Sequence, residues 1–188
     1  MRVISGSFKG KKIFQPKDNK TRPLRDLAKE SIFNVIEHSN KLNKQLTNSS
    51  ILDLFSGVGS FGIECLSRGS RKVVFVENYS GVLPILKKNL SSLKLFKNYE
   101  ILENDIYKDD VLSNLNSGFD IIFLDPPFRD KKLYTLLLKL KNFKMLNKNG
   151  IIIIHRHKND NDNLSKTFNV IEEKRYGISK IFFISDLN

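Results

Sequence analysis

The chain of 188 residues has no tryptophan, a single cysteine, two methionines and five prolines. With Cys65 alone, an intramolecular disulfide and any cysteine-rich zinc centre are excluded, and a reducing compartment is expected. Long apolar runs are missing too. Stretches such as 151–154 stop at four residues, against the ~20 that a membrane-spanning helix needs. The opening residues, MRVISGSFKG, carry charge and glycine with no apolar stretch behind them, and predict no secretory signal. These absences predict a cytoplasmic protein. The remaining composition, 40% hydrophobic and 10% aromatic, is enough to bury a core and excludes wholesale disorder.

Arginine is scarce as well. The 32 basic residues divide into 24 lysines and 8 arginines, beside 19 asparagines and 19 isoleucines. An AT-rich genome produces that bias without functional pressure, whereas a chain selected to grip phosphate favours the planar guanidinium. The bulk net charge of +12 therefore says less than its distribution. Residues 1–25 hold eight basic side chains and one acid, Asp18, a net of +7; the other 163 residues carry a net of +5.

Arg2-Val-Ile-Ser and Lys12-Ile-Phe-Gln, around Gly6 and Gly10, predict a small β-hairpin. Leu24, Leu27, Ala28, Ile32, Val35 and Ile36 recur at helical spacing, with Pro23 suited to the first turn. A polar break over 39–50 follows. We therefore divide the chain into a basic N-terminal extension, 1–45, and a catalytic domain, 46–188. Beyond the break, strands are expected at 51–55, 72–76, 99–103, 119–124 and 150–155. Helices are expected at 57–67, about 80–95 and about 131–141. Two β-like runs, 168–174 and 179–185, meet around Tyr176-Gly177. Such alternation predicts an α/β fold: a doubly wound, mostly parallel, seven-stranded Rossmann-like sheet ending in an antiparallel hairpin.

Glycines lie between the first strand and its helix in Ile51-Leu-Asp-Leu-Phe-Ser-Gly-Val-Gly-Ser-Phe-Gly62. Gly57, Gly59 and Gly62 satisfy the dinucleotide fingerprint, and Glu77 follows 20 residues after Gly57. The discriminating residue is Asp53, at the strand end. A carboxylate there would repel a diphosphate but suits an ammonium group. That selects S-adenosylmethionine, which carries an amino-acid tail and a sulfonium, over NAD. Glu77 is expected on the ribose hydroxyls, Asp105 on the adenine amino group, and Ile106 against the ring, with Phe55 completing the cofactor set. The bland alternatives are capping for Asp53, a solvated strand end for Glu77 and a turn for Asp105.

The most specific signal is Phe119-Asp-Ile-Ile-Phe-Leu-Asp-Pro-Pro-Phe128. Two prolines end the strand and fix the backbone at its C-terminal end. An exocyclic amine on a base is a poor nucleophile because its lone pair is delocalised. The Asp125 carboxylate and the Pro126 carbonyl can each accept one N–H, aiming the lone pair at a methyl donor and stabilising the positive charge that develops. Pro127 holds the turn, and Phe128 offers a face for base stacking.

At this point the chain resembles the RsmD family of bacterial 16S rRNA guanine-N2 methyltransferases, of the class I fold. The resemblance rests on Arg2-x-Ile4-x-Gly6, Lys9-Gly10-Lys11, Arg22-Pro23 with Asp26 and Lys29-Glu30-Ser31-Ile32-Phe33-Asn34. It continues through Leu52 to Gly59, Gly62-x-Glu64, Leu66-Ser67-Arg68-Gly69, Asp125-Pro-Pro-Phe128 and Lys174-x-Tyr176-Gly177. It implies methyl transfer to a guanine N2 amine, with S-adenosylmethionine held by Asp53, Gly57, Gly59, Glu77 and Asp105 and catalysis at Asp125 to Phe128. RNA contact is assigned to Arg2, Lys9, Lys11, Lys12, Arg22 and Arg25. The implied substrate is 16S rRNA in a partly assembled small subunit, and a monomer is expected. Leu24 replaces a hydroxyl residue and Leu27 a basic one in the family pattern. His155 stands where an acid commonly ends the fifth strand, a departure expected to leave the catalytic motif untouched.

His155 and His157 lack a third ligand at useful spacing, so no metal is expected; they are placed at the crevice mouth or in solvent. Cys65 reads as a small buried hydrophobe, and Lys131, Lys132, Lys139 and Lys141 as a solvated helix face. Two other functions fit parts of the pattern: a DNA amino-methyltransferase, for which 188 residues leave little room for a base-reading domain, and a non-catalytic RNA-binding assembly factor.

Overall fold

The computed structural model describes residues 1–16, 24, 26–42, 46–93, 98–115, 118–127, 130–160 and 162–185. The expected roles of Arg22, Arg25 and Phe128, and the first-turn position of Pro23, lie outside them.

Helix α1 (Asp26–His38) precedes an alternation of β1 (Ser50–Leu54), α2 (Ser60–Ser67), β2 (Lys72–Val76), α3 (Leu83–Ser91) and β3 (Tyr99–Leu102). A short α4 (Asp109–Ser113), β4 (Phe119–Leu124), α5 (Leu133–Asn142) and β5 (Leu146–His157) follow, and β6 (Val170–Tyr176) and β7 (Ser179–Ser185) close the chain. All seven strands form one sheet in the order β3-β2-β1-β4-β5-β7-β6. Strands β3 to β5 pair in parallel, while β7 pairs antiparallel with both β5 and β6. Chain direction across the sheet reverses between β1 and β4. The crevice outside the C-terminal ends of those two strands is where an open α/β sheet binds its ligand.

The sheet is sandwiched. Alternate apolar residues face opposite layers: Ile51, Val73, Phe75, Ile121 and Phe123 pack with α1 and α2, whereas Leu52, Leu54, Val74, Ile122 and Leu124 pack with α5. Both faces being covered explains why the central strands read as continuous apolar runs. On one layer Phe61 stacks between Phe33 and Phe123, with ring centroids 5.3 and 4.0 Å away. Among the described residues no helix is long and apolar enough to cross a membrane.

The N-terminal hairpin forms, with Arg2 bridged antiparallel to Lys12, and it docks on the body. Val3 and Ile13 are buried in the same cluster as Phe61. Polar anchors add to this: the Glu64 carboxylate accepts the Ile4 and Ser5 N–H groups at 2.8 and 2.9 Å. Asn89 of α3 accepts the Phe14 N–H at 2.8 Å and donates to the Phe14 and Val58 carbonyls. Fully buried Lys29 donates to the Arg2 carbonyl at 2.8 Å and sits 3.7 Å from Glu64. Burial lowers its pKa, and Glu64 and Asp26 partly offset that. Arg68 completes this network, reaching Glu64 at 3.0 Å and Glu37 at 2.6 Å.

Leu27 departs from its expected place on the apolar face of α1. It is 64% exposed, because the packed stripe runs through Ala28, Ile32 and Val35 and position 27 lies about 100° around the helix from it.

Candidate active site

Three acids end three neighbouring strands and meet in one cleft of about 1130 Å³. Asp53 comes from β1, Glu77 follows β2 and Asp125 follows β4. Asp26, at the start of α1, joins them. Among the described lining residues these are four acids, with no lysine or arginine.

The loop after β1 is built around these acids. Phe55 adopts φ +59°, a conformation rare for a bulky residue, and turns the chain out of the strand. The Ser56 hydroxyl and N–H donate to the Asp53 and Val76 carbonyls. The Glu77 carboxylate accepts the Gly57 N–H at 2.7 Å, together with those of Asn78 and Tyr79. Gly59, at φ +82°, starts α2; an added Cβ there would press on Leu86 at 2.5 Å. Asp53 lies at the N-terminal end of α2 and accepts the Gly62 N–H at 3.0 Å, a favourable place for an anion. Even so, burial raises its pKa well above the ordinary carboxyl value, and the nearby Asp125 and Glu77 charges raise it further.

That electrostatic state is the test of which ligand fits. A cleft with clustered, partly frustrated carboxylates and no described lysine or arginine is hostile to a diphosphate. It suits a ligand carrying an ammonium and a sulfonium, and a carboxylate has about four acceptor sites, of which the Gly62 N–H takes one on Asp53. Phe55, Val58, Phe61 and Tyr79 supply apolar lining beside the acids.

The D-P-P turn after β4 is also part of the wall. Pro126 and Pro127 both line the cleft, and the Asp130 N–H donates to the Pro127 carbonyl at 3.1 Å. Asp130 is held in turn: the Tyr107 hydroxyl donates to its carboxylate at 2.7 Å and buried Arg156 reaches its carbonyl at 3.2 Å. Burial and Asp130 both raise the Tyr107 pKa, keeping that phenol a donor.

Asp105 and Ile106 are not among the residues lining the cleft. The Asp105 carboxylate accepts the Tyr107 N–H at 3.0 Å, and Ile106 is buried in the core on the α5 side. Arg2, Lys9, Lys11 and Lys12 are exposed on the hairpin, and Met1, Gln15 and Leu24 from the same segment line the cleft. One expectation is overturned. His155 does not leave the catalytic motif untouched: its Nδ1 lies 2.8 Å from Asp125 Oδ1, and its Nε2 lies 2.8 Å from Ser179 Oγ. Strand β5 runs between β4 and β7, and its register carries His155 to the level of Asp125. That pairing has no local signal in the sequence.

A parallel sheet reversing at β1/β4, closed by an antiparallel β7–β6 hairpin and carrying acids at the ends of β1 and β2 and D-P-P at the end of β4, is the fold of a class I methyltransferase. Comparison with known proteins narrows the class. The family described as conserved hypothetical protein 95 matches residues 1–185. YlbH of Bacillus subtilis is 38% identical over 154 residues, covering 81% of this chain and 80% of that protein. The ribosomal RNA small subunit methyltransferase D of Haemophilus influenzae is 32% identical over 179 residues, covering 95% and 90%. The crystal structure of HI0767 from Haemophilus influenzae aligns with a TM-score of 0.76 at 29% identity, over 100% of this chain and 98% of that one. The chain belongs to this family, the RsmD family.

Proposed function

We propose that the protein methylates the exocyclic N2 amine of one guanine in 16S rRNA, using S-adenosylmethionine. The observation that carries the reading is the convergence of Asp53, Glu77 and Asp125 on one cleft, with Asp53 buried. Asp53 takes the ammonium of the amino-acid tail, directly or through water, and Glu77 takes the ribose hydroxyls. Asp105 and Ile106 are assigned to the adenine end, although neither lines the cleft as it stands.

S-adenosylmethionine, when bound, supplies an activated methyl group that passes to the amine nitrogen as its carbon–sulfur bond breaks. Asp125 and the Pro126 carbonyl accept the two amine N–H groups and orient the lone pair. The carboxylate stabilises the positive charge that grows on nitrogen, and the surplus proton leaves through Asp125 or water. Phe128 is assigned to stacking on the base. The exposed lysines of the hairpin, with Arg2, Arg22 and Arg25, neutralise RNA phosphates beside the cleft.

Membership of a family whose relatives include small-subunit rRNA methyltransferases supports RNA over DNA as the substrate. A cytoplasmic monomer acting on a partly assembled small subunit completes the reading. The test is transfer of labelled methyl to small-subunit particles from cells lacking the protein. Wild type labels 16S rRNA, and Asp125→Ala binds S-adenosylmethionine but labels about 100- to 1000-fold more slowly, the scale for loss of a preorganised electrostatic group. Substantial turnover by the variant would refute the assignment of Asp125.

A further inference from the structure

The cleft holds a side chain that the proposed reaction has not used. His155, 12% exposed, lies against Asp125, 23% exposed, near the end of β5. We propose that His155 is a positioning residue for Asp125: it fixes one carboxylate oxygen, leaves the other for the target amine, and through its own protonation sets how much negative charge that amine meets. The inference rests on the methyl-transfer reading above and deepens it.

Hydrogen-bond polarity follows from the partners. An ionised Asp125 is an acceptor, so the ring donates from Nδ1. Its other nitrogen, Nε2, meets the Ser179 hydroxyl at 2.8 Å. A hydroxyl can rotate to donate to a neutral imidazole or to accept from an imidazolium, so both charge states of the ring are satisfied at the same geometry. The ring therefore need not move when it titrates, and Asp125 Oδ1 stays held. Oδ2 is the oxygen left to receive an amine N–H.

The charges around the ring come from several elements. Asp125 from β4, Asp53 from β1, Glu77 after β2 and Asp26 of α1 line the same cleft. Arg156 neighbours the ring on its own strand. Lys180 of β7 follows Ser179 and donates from Nζ to the Asp160 carbonyl. Burial lowers the imidazole pKa, but the charge and hydrogen bond of Asp125 outweigh it and Arg156 together, so the ring titrates above its ordinary value. In the imidazolium form, the pair is neutralised and stabilises a cationic amine poorly. Loss of the ring proton restores the full carboxylate charge, so the chemical step speeds up as pH rises through the histidine's midpoint.

Single-turnover methyl transfer to the small-subunit particles, measured from pH 5.5 to 9, tests this. Wild type shows a rate that climbs with pH and then levels. On the upper plateau His155→Ala is slower by roughly 10- to 100-fold, the scale of a misplaced catalytic group; it lacks the rising limb, so its deficit narrows towards pH 5.5. His155→Asn keeps a donor near the Nδ1 position but cannot titrate; it recovers much of that loss and its rising limb disappears. Superposable pH profiles for wild type and His155→Asn, or a His155→Ala enzyme as fast as wild type on the upper plateau, would overturn the proposal. An NMR titration of the His155 ring, resolved from those of His38 and His157, gives a readout independent of turnover. Its midpoint moves to lower pH in Asp125→Asn, and an unmoved midpoint also overturns the pairing. Wild-type protein with that NMR shift intact but no transfer to RNA would support the pairing and refute the substrate reading.

Discussion

Replacing Asp53 by asparagine separates ligand binding from folding more cleanly than any other single change. The amide keeps an oxygen for the Gly62 N–H, now received at 3.0 Å, and removes the charge. Hydrogen bonds to charged groups are worth about 1.5–3 kcal/mol, which translates into a roughly 10- to 150-fold weaker Kd. Isothermal titration with S-adenosylmethionine reads that loss. Stability moves the other way. The folded Asp53 holds its proton more tightly than the unfolded chain does, because burial and its acidic neighbours raise its pKa. Its effect on stability is absent below the ordinary Asp range, and stability falls as pH rises from there towards the folded value. Asparagine abolishes this penalty. The ligand-free variant should therefore melt above wild type, by a margin that grows from pH 4 to pH 8. A variant that binds S-adenosylmethionine as tightly as wild type, or one that melts lower at pH 8 and no lower at pH 4, would refute the assignment of Asp53 as a buried anion held for a cationic ligand.

Other consequences concern the N-terminal segment. Glu64→Ala removes the acceptor for Ile4 and Ser5 and leaves the fully buried Lys29 with Asp26 alone as its ion-pair partner. Breaking a buried pair from one side costs about 3–5 kcal/mol. Urea denaturation reads that loss, and hydrogen exchange at Val3 and Ile13 rises with it; a loss below about 1 kcal/mol would contradict the docking role. Reversing charge at Lys11 and Lys12 together should weaken RNA binding and flatten its log–log salt slope by about two, with affinity for S-adenosylmethionine unchanged. An unaltered slope would place the RNA elsewhere.

Much of the architecture was legible because its signals are local. Strands β2, β4 and β7 stand where their apolar runs stand, bounded by charge or glycine. Strand β5 begins at Leu146, before the apolar run at 150, since its first residues include exposed Lys148 and Asn149 and carry no hydrophobic pattern. Helix α4 spans five residues, too few for a period to show. In the site, Asp53, Glu77 and Asp125 were readable from their positions at the C-terminal ends of strands. The Asp125–His155–Ser179 chain was not, because it depends on three strands adjacent in space and distant in sequence. The docking of the basic hairpin was hidden for a related reason. A wholly buried glutamate on α2 holds it, and composition expects Glu64 at the surface.

Mapping methylated nucleosides in small-subunit rRNA by mass spectrometry, with and without this protein, decides whether it modifies a guanine of 16S rRNA. One N2-methylguanosine in 16S rRNA should disappear when the protein is absent and return with wild type but not with Asp125→Ala. An unchanged set of 16S modifications, or a methyl lost from DNA instead, would contradict it.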